Sequence, residues 1–393
     1  MNKRLILTAC FLTVFVAYAV RYGYGILLPE MLDSLNITKT DAGIIFFAFF
    51  IAYTLASPVC GYISDRYGSR WLLALFTTAI GIGAFLMSQV SSILQASLVF
   101  TLAGIGCAAG WAPVIALAQK WTSHERRGRV IAFIDIASAL SIIAMGALVP
   151  VIVSKLDWRA GWMILGVLGI AIGIFNFLVV KNPPDKLRDS PNNNQKPTEP
   201  TGVTLSTLLR SGKFWLFGLG YLFTGFAIQI PMTFLNTYAI QELSFSYDIA
   251  AGLFAFLGIG AIVSKVTIGP LSDKTGRLKM IFLCGILIAL GCLGMVFDNI
   301  VTLFIAAFVF SMGYGVVWAL YAAAASDYFT RESSGTIVGL WTLFLGVGLM
   351  LAPVIAGWLA DTTGTLTWSF ELGAAGGIMS IVLLIPLWKK GGG

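Results

Sequence analysis

Three charged side chains stand inside apolar runs of this sequence: Arg21 in Ala17-Tyr-Ala-Val-Arg21-Tyr, Asp135 between Ile134 and Ile136, and Lys265 between Ser264 and Val266. An ionisable group at the centre of an apolar span costs about 2.5 to 3.5 kcal/mol to insert, so such a group is a functional candidate by default. Arginine presents a planar fork that matches a carboxylate, and lysine a point charge whose pKa shifts when buried. Arg21 and Lys265 are therefore candidate ligands for a small anion. Asp135, about two turns into its span, and Lys265 are the candidates for carrying a coupled proton. Other readings stay open: Arg21 can snorkel outward, and Lys265 can pair with Asp135 as a structural bridge or reach inward to an interface.

The elements that must position these groups are membrane spans. Of the 393 residues, 58% are hydrophobic and 11% charged, with a mean hydropathy of +0.88. Too few polar side chains exist to coat a soluble fold of that length. At roughly 20 apolar residues per span there is room for about twelve spans and short connections. Apolar runs bounded by charges, Gly and Pro predict helices at 5–28, 42–63, 71–90, 93–118, 129–153, 160–180, 214–240, 249–271, 279–297, 301–326, 334–359 and 367–388. Lys3-Arg4, an apolar run and Ala17-Tyr18-Ala19 imitate a cleavable signal, but the run continues to Leu28, so it is read as a retained first span. The fold class expected is all-α, with two six-helix bundles: 1–180, a proline-rich cytoplasmic linker at 181–212, and 213–393.

Composition also excludes functions. His124 is the only histidine, and Cys10, Cys60, Cys107, Cys284 and Cys292 fall in apolar runs without CxxC spacing, so no metal site and no cofactor is expected. No nucleophile sits with a base, which tells against an enzyme, and no GxxxxGK[ST] loop is present for ATP-driven pumping. The net charge of +7 lies in short connectors, where positive-inside placement explains it better than nucleic acid does. Placing both termini in the cytoplasm leaves only Lys39, Lys155 and Arg159 outside, as expected for a protein of the cell (inner) membrane.

The halves repeat. Gly61-Tyr-Ile-Ser-Asp65-Arg66-Tyr-Gly68-Ser-Arg70 recurs as Gly269-Pro-Leu-Ser-Asp273-Lys274-Thr-Gly276-Arg277, and Glu125-Arg-Arg-Gly128 echoes in Glu332-Ser-Ser-Gly335. Duplicated bundles about a pseudo-symmetry axis are the architecture of alternating-access transporters, with the solute bound near the midplane.

With these motifs the sequence resembles the major facilitator superfamily over essentially its whole length. The signature G-x-x-x-D-R-x-G-x-R is carried by Gly61, Asp65, Arg66, Gly68 and Arg70, and its copy by Gly269, Asp273, Gly276 and Arg277. The resemblance implies that this loop holds the bundles together in one access state; the alternative is a tight positive-inside loop without a gating part. It also implies that helices 1, 4, 7 and 10 line the cavity, which makes Tyr18, Tyr22, Tyr24, Trp111, Gln229, Asn236, Tyr314, Trp318 and Tyr321 candidates for further contacts. Arg21 with Leu28-Pro29, and Gly110-Trp111-Ala-Pro113 with Trp121 and Glu125-Arg126, look like the helix 1 and helix 4 patterns of organophosphate:phosphate antiporters. Those carriers use a second arginine in helix 7, where this chain has Ile228-Gln229-Ile230; Lys265 resembles in depth the helix 8 arginine of monocarboxylate and oxalate/formate carriers.

The expectation is a secondary transporter of a small organic anion, foremost a monocarboxylate, by proton symport or anion exchange, working as a monomer among membrane lipids. Alternatives are an exporter of neutral or cationic lipophiles and a sugar-phosphate or phosphate antiporter. The lipophile exporter would call for buried carboxylates without buried cations, the reverse of what appears.

Overall fold

The computed structural model of the chain describes residues 3–123, 126–181, 205–329 and 333–390. His124, Glu125, Arg331, Glu332 and most of the expected linker, 182–204, lie outside the described residues. In chain order the helices are α1 (Lys3–Leu35), α2 (Lys39–Tyr67), α3 (Ser69–Met87), α4 (Ile93–Cys107), α5 (Ala112–Lys120), α6 (Arg127–Lys155) and α7 (Trp158–Val179). They continue as α8 (Leu205–Arg210), α9 (Gly212–Thr237), α10 (Tyr247–Thr275), α11 (Arg277–Gly294), α12 (Ile300–Tyr328), α13 (Ser334–Thr363) and α14 (Thr367–Lys390). Among the described residues, twelve segments are long and apolar enough to cross a membrane, and each expected span falls on one of them.

Three details differ from the sequence expectation. The first span runs to Leu35, past Pro29, a residue that membrane helices tolerate when neighbours satisfy the freed backbone. The fourth is broken: α4 stops at Cys107 and α5 starts at Ala112. The short helix α8 lies inside the stretch read as linker, and the seventh span ends in a π-helical turn, Tyr238–Glu242.

Local chemistry explains the boundaries. Thr38 and Asp41 form a reciprocal capping box at the start of α2, with bonds of 3.1 and 3.0 Å. Ser92, Asp157 and Asn299 accept backbone N–H groups at the starts of α4, α7 and α12. Between α2 and α3 the chain turns at Gly68, φ 86°, and between α10 and α11 at Gly276, φ 97°, conformations that disfavour any side chain.

The chain divides into two compact units. The first holds α1–α7 together with Ser246–Gly252, and the second holds α8–α14 without that segment. Within the first, Tyr247 donates its hydroxyl to the carbonyl of Ile26 at 2.6 Å.

Glycines set the closest helix approaches in each unit. A methyl group on Gly81 would overlap the backbone of Gly166 and Ile170 on α7, and one on Gly104 would overlap Phe49 on α2. In the second unit Gly313 is equally tight against Cys284 on α11, and Gly315 against Ala261 on α10. Without a hydrophobic force between helices in lipid, such small-residue contacts supply the packing. Large apolar side chains face outward, among them Leu55, Leu94, Trp71 and Val266, a surface suited to lipid and not to water.

Candidate functional site

Arg21 sits two-thirds of the way along α1, and helical spacing puts Ala17, Tyr18 and Arg21 on one face. These three line a small pocket in the first unit, closed by Phe49 and Tyr53 on α2 and by Cys107, Gly110 and Trp111 at the break in the fourth span. Phe49 and Tyr53 are four residues apart and so share a face of α2.

The break builds one wall. Ala108, Ala109 and Gly110 bond back to Ile105, Gly106 and Cys107 at 3.2, 3.4 and 2.9 Å, the i to i−3 spacing of tight turns. Trp111 leaves the helical region at φ −124°, ψ −76°, and Pro113 lies in the first turn of α5, where a missing N–H costs nothing. A methyl on Gly110 would stand 3.1 Å from Ala17 Cβ, so the backbone of the break presses on α1. The Cys107 thiol, 3.6 Å from the Ala17 carbonyl, ties the same two segments.

Around Arg21 the surroundings are rings. Its guanidinium carbon is 4.6 Å from the centre of Phe50, 5.4 Å from Tyr22 and 5.8 Å from Tyr18. The negative faces of those rings stabilise the cation where water is scarce. No carboxylate lines the pocket. Asp135, half-buried on α6, acts on the Tyr18 hydroxyl electrostatically together with Arg21.

Expected partners divide accordingly. Tyr18 and Trp111 line the pocket, and Tyr22 lies under the guanidinium. Tyr24 is a correction: fully buried, it donates to the Ala42 carbonyl at 2.7 Å and stacks on Phe46 and Phe100, which places it in helix packing. Phe49, Phe50, Tyr53 and Cys107 were not anticipated; the aromatic density of Phe46-Phe47-Ala-Phe49-Phe50-Ile-Ala-Tyr53 was the available signal.

In the second unit, Tyr314, Trp318 and Tyr321 on α12 form an aromatic cluster with Tyr221 on α9, which the sequence reading omitted. Tyr221 and Tyr321 stack at 4.1 Å, and the Tyr321 hydroxyl is 3.3 Å from that of Thr224. Gln229 and Asn236 are buried farther along α9, with the Gln229 amide donating to Thr233 at 3.1 Å. Lys265 is half-buried on α10, next to Ser264, whose hydroxyl donates to the Met312 carbonyl.

The repeated loops are built alike. Ser64 and Ser69 bring their hydroxyls to 3.3 Å across Gly68, and Ser272 and Arg277 meet at the same spacing across Gly276. Arg66 donates to the Tyr62 hydroxyl at 2.6 Å, while Arg70 donates to the Phe177 carbonyl at 2.9 Å in the last turn of α7. That contact places a cation at a helix C-terminus, where the dipole favours it. Arg277 pairs with Asp273 and stands 3.9 Å from Asp327. The Asp65 side chain lies outside the described residues. Gly61 and Gly269 have room for a methyl, so packing does not require glycine at either.

A duplicated, lipid-faced helical bundle with a cation held in a pocket inside it is a membrane carrier. The chain belongs to the Major Facilitator Superfamily, whose family model matches residues 10–267 and 217–390. It is a multi-pass integral membrane transporter of small solutes and not an enzyme. It is 26% identical over 408 residues to a membrane sensor protein, UhpC, of Escherichia coli, covering 95% of this chain and 90% of that one. With monocarboxylate transporter 12 of Xenopus laevis it shares 25% identity, over 84% of this chain and 76% of the relative. The crystal structure of the nucleoside transporter NupG superposes with a TM-score of 0.80 at 15% identity, covering 99% of this chain and 100% of that one.

Proposed function

We propose that the protein carries a small organic anion, foremost a monocarboxylate, across the cell membrane by alternating access, with both termini in the cytoplasm. The observation that carries the reading is Arg21, a permanent cation half-buried among rings in a pocket that no carboxylate lines. Arginine's fork accepts a carboxylate at two points, and in a dry pocket that pair is stronger than in water. The relative from Xenopus laevis, a monocarboxylate transporter, supports the same class. Lys265 is proposed as the second cation that the solute meets. The repeated loops, Gly61 to Arg70 and Gly269 to Arg277, are proposed as the parts that hold the closed state.

Coupling is proposed to run through proton symport or anion exchange. Asp135 is the candidate proton carrier, because its charge is felt at Tyr18 beside Arg21. The working form is proposed to be a monomer in lipid.

Purified protein in liposomes, tested for uptake of labelled monocarboxylates, provides the test. Arg21→Gln and Lys265→Gln at matched protein should each abolish most of the uptake. Near-normal uptake in both would sink the anion-carrier reading. An inward pH gradient that drives accumulation only while Asp135 is intact would select symport; stimulation by internal anion without a gradient would select exchange.

A further inference from the structure

We infer that the solute's body is apolar, an aryl or branched-alkyl chain on a single carboxylate, and that polyhydroxylated acids are poor ligands. This rests on the proposed role of Arg21 as the anion site and names the class of anion.

The pocket around Arg21 has a volume of about 20 Å³, room for a headgroup or a single water and not for a sugar ring. A carboxylate seated there leaves its attached carbon at the pocket wall, and that wall is made of rings. Phe49 and the ring bodies of Tyr18, Tyr53 and Trp111 form it, with Phe50 and Tyr22 behind the guanidinium. The lining contains no Asn, Gln, Ser, Thr, Asp or Glu. Its side-chain polar groups apart from Arg21 are two phenols, one indole N–H and one thiol. The thiol already faces the Ala17 carbonyl.

A hexuronate carries several hydroxyls, each both donor and acceptor, and every one stripped of water must find a partner or lose affinity. Three remaining polar groups cannot serve them. An apolar body loses nothing on entering and gains contact with the ring faces. A second carboxylate on the solute would find no second cation in this lining.

Selectivity of an apolar site against a hydroxylated analogue is limited to roughly 100-fold, so the effect is measurable without being absolute. The experiment is thermal stabilisation of the intact detergent-purified protein by phenylacetate, isovalerate, glucuronate, gluconate and glucose 6-phosphate, read as apparent affinity. Phenylacetate and isovalerate should bind at least 10-fold more tightly than glucuronate or gluconate, and Arg21→Gln should remove that binding. A Trp111→Asn variant, which places an amide on the wall, should narrow the ratio while leaving binding dependent on Arg21. Glucuronate or glucose 6-phosphate binding as tightly as phenylacetate in an Arg21-dependent way overturns the apolar-body inference and leaves the anion carrier standing. Stabilisation by no anion in the panel, with uptake unaffected by Arg21→Gln, overturns both.

Discussion

Gln229 stands 208 residues after Arg21, the same interval that separates Gly269 from Gly61, so the two positions correspond in the duplicated halves. The scaffold around them has been kept: tight glycines at the helix crossings and a positive-φ glycine in each repeated loop. The chemistry has not. Arg21 holds a permanent charge among rings, whereas Gln229 is neutral, 1% exposed, and turns its amide to Thr233 within its own helix. The rings of the second unit stack on one another, Tyr221 on Tyr321, instead of surrounding a cation. Sterics conserve a duplicated fold because every crossing must close, but a carrier needs only one strong anion subsite on this axis, so the second copy was free to lose or never acquire it.

The sharpest way to break the comparison is to make the first unit resemble the second. Arg21→Gln should lower anion uptake by about 100-fold or more, since truncating one partner of a buried hydrogen-bonded charge pair costs about 2–5 kcal/mol. Arg21→Lys keeps the charge and loses the fork, and should recover only part of the rate. Uptake in liposomes checks both, and equal loss in Gln229→Ala would show that the halves contribute alike.

The next effect concerns stability and separates two kinds of glycine. Gly81→Ala pushes a methyl into the α7 backbone and should destabilise by about 1–3 kcal/mol, as overpacking does. Gly61→Ala meets nothing within 4 Å inside a helix and should be neutral or gain up to about 1 kcal/mol. Melting of the purified protein in one detergent gives the two signs. A drop at Gly61 would mean that the loop glycine is held by something other than packing.

Much of this architecture was legible before any coordinates. Lipid demands long apolar helices, so hydropathy marks all twelve spans, and the loop repeat marks the duplication. The break at Ala108–Trp111 left its signal in Pro113, since a proline in the first turn of a helix implies that a helix begins there. The π-helical turn at Tyr238–Glu242 left none. Arg21 was found because a buried charge is rare, but its ring partners come from α2 and from the fourth span. Single-span periodicity cannot say which rings of one helix meet which side chain of another. Tyr24 shows the same limit: its place was decided by the Ala42 carbonyl of a neighbouring helix.

Two loop glycines should behave alike where the active positions differ. Gly68 at φ 86° and Gly276 at φ 97° each occupy a region that costs an alanine about 1–2 kcal/mol. Gly68→Ala and Gly276→Ala should therefore lower thermal stability by similar amounts. A loss confined to one loop would show that the repeated turns are not energetically equivalent.

The smallest effect tests the hydroxyl that each loop reuses. Ser64 and Ser69 are each 2% exposed, so Ser64→Ala strands a buried hydroxyl that had a partner at 3.3 Å, at a cost of about 1 kcal/mol. Ser272→Ala removes a bond to Arg277, but that guanidinium keeps Asp273, whose side chain is 62% exposed, and water reaches the pair. The loss there should be the smaller of the two. Adding Ser69→Ala to Ser64→Ala should return part of the lost stability, because removing both hydroxyls leaves no orphan, whereas no second substitution is needed in the Ser272 loop. If the double variant is no more stable than Ser64→Ala alone, the penalty comes from lost packing and not from a stranded hydroxyl.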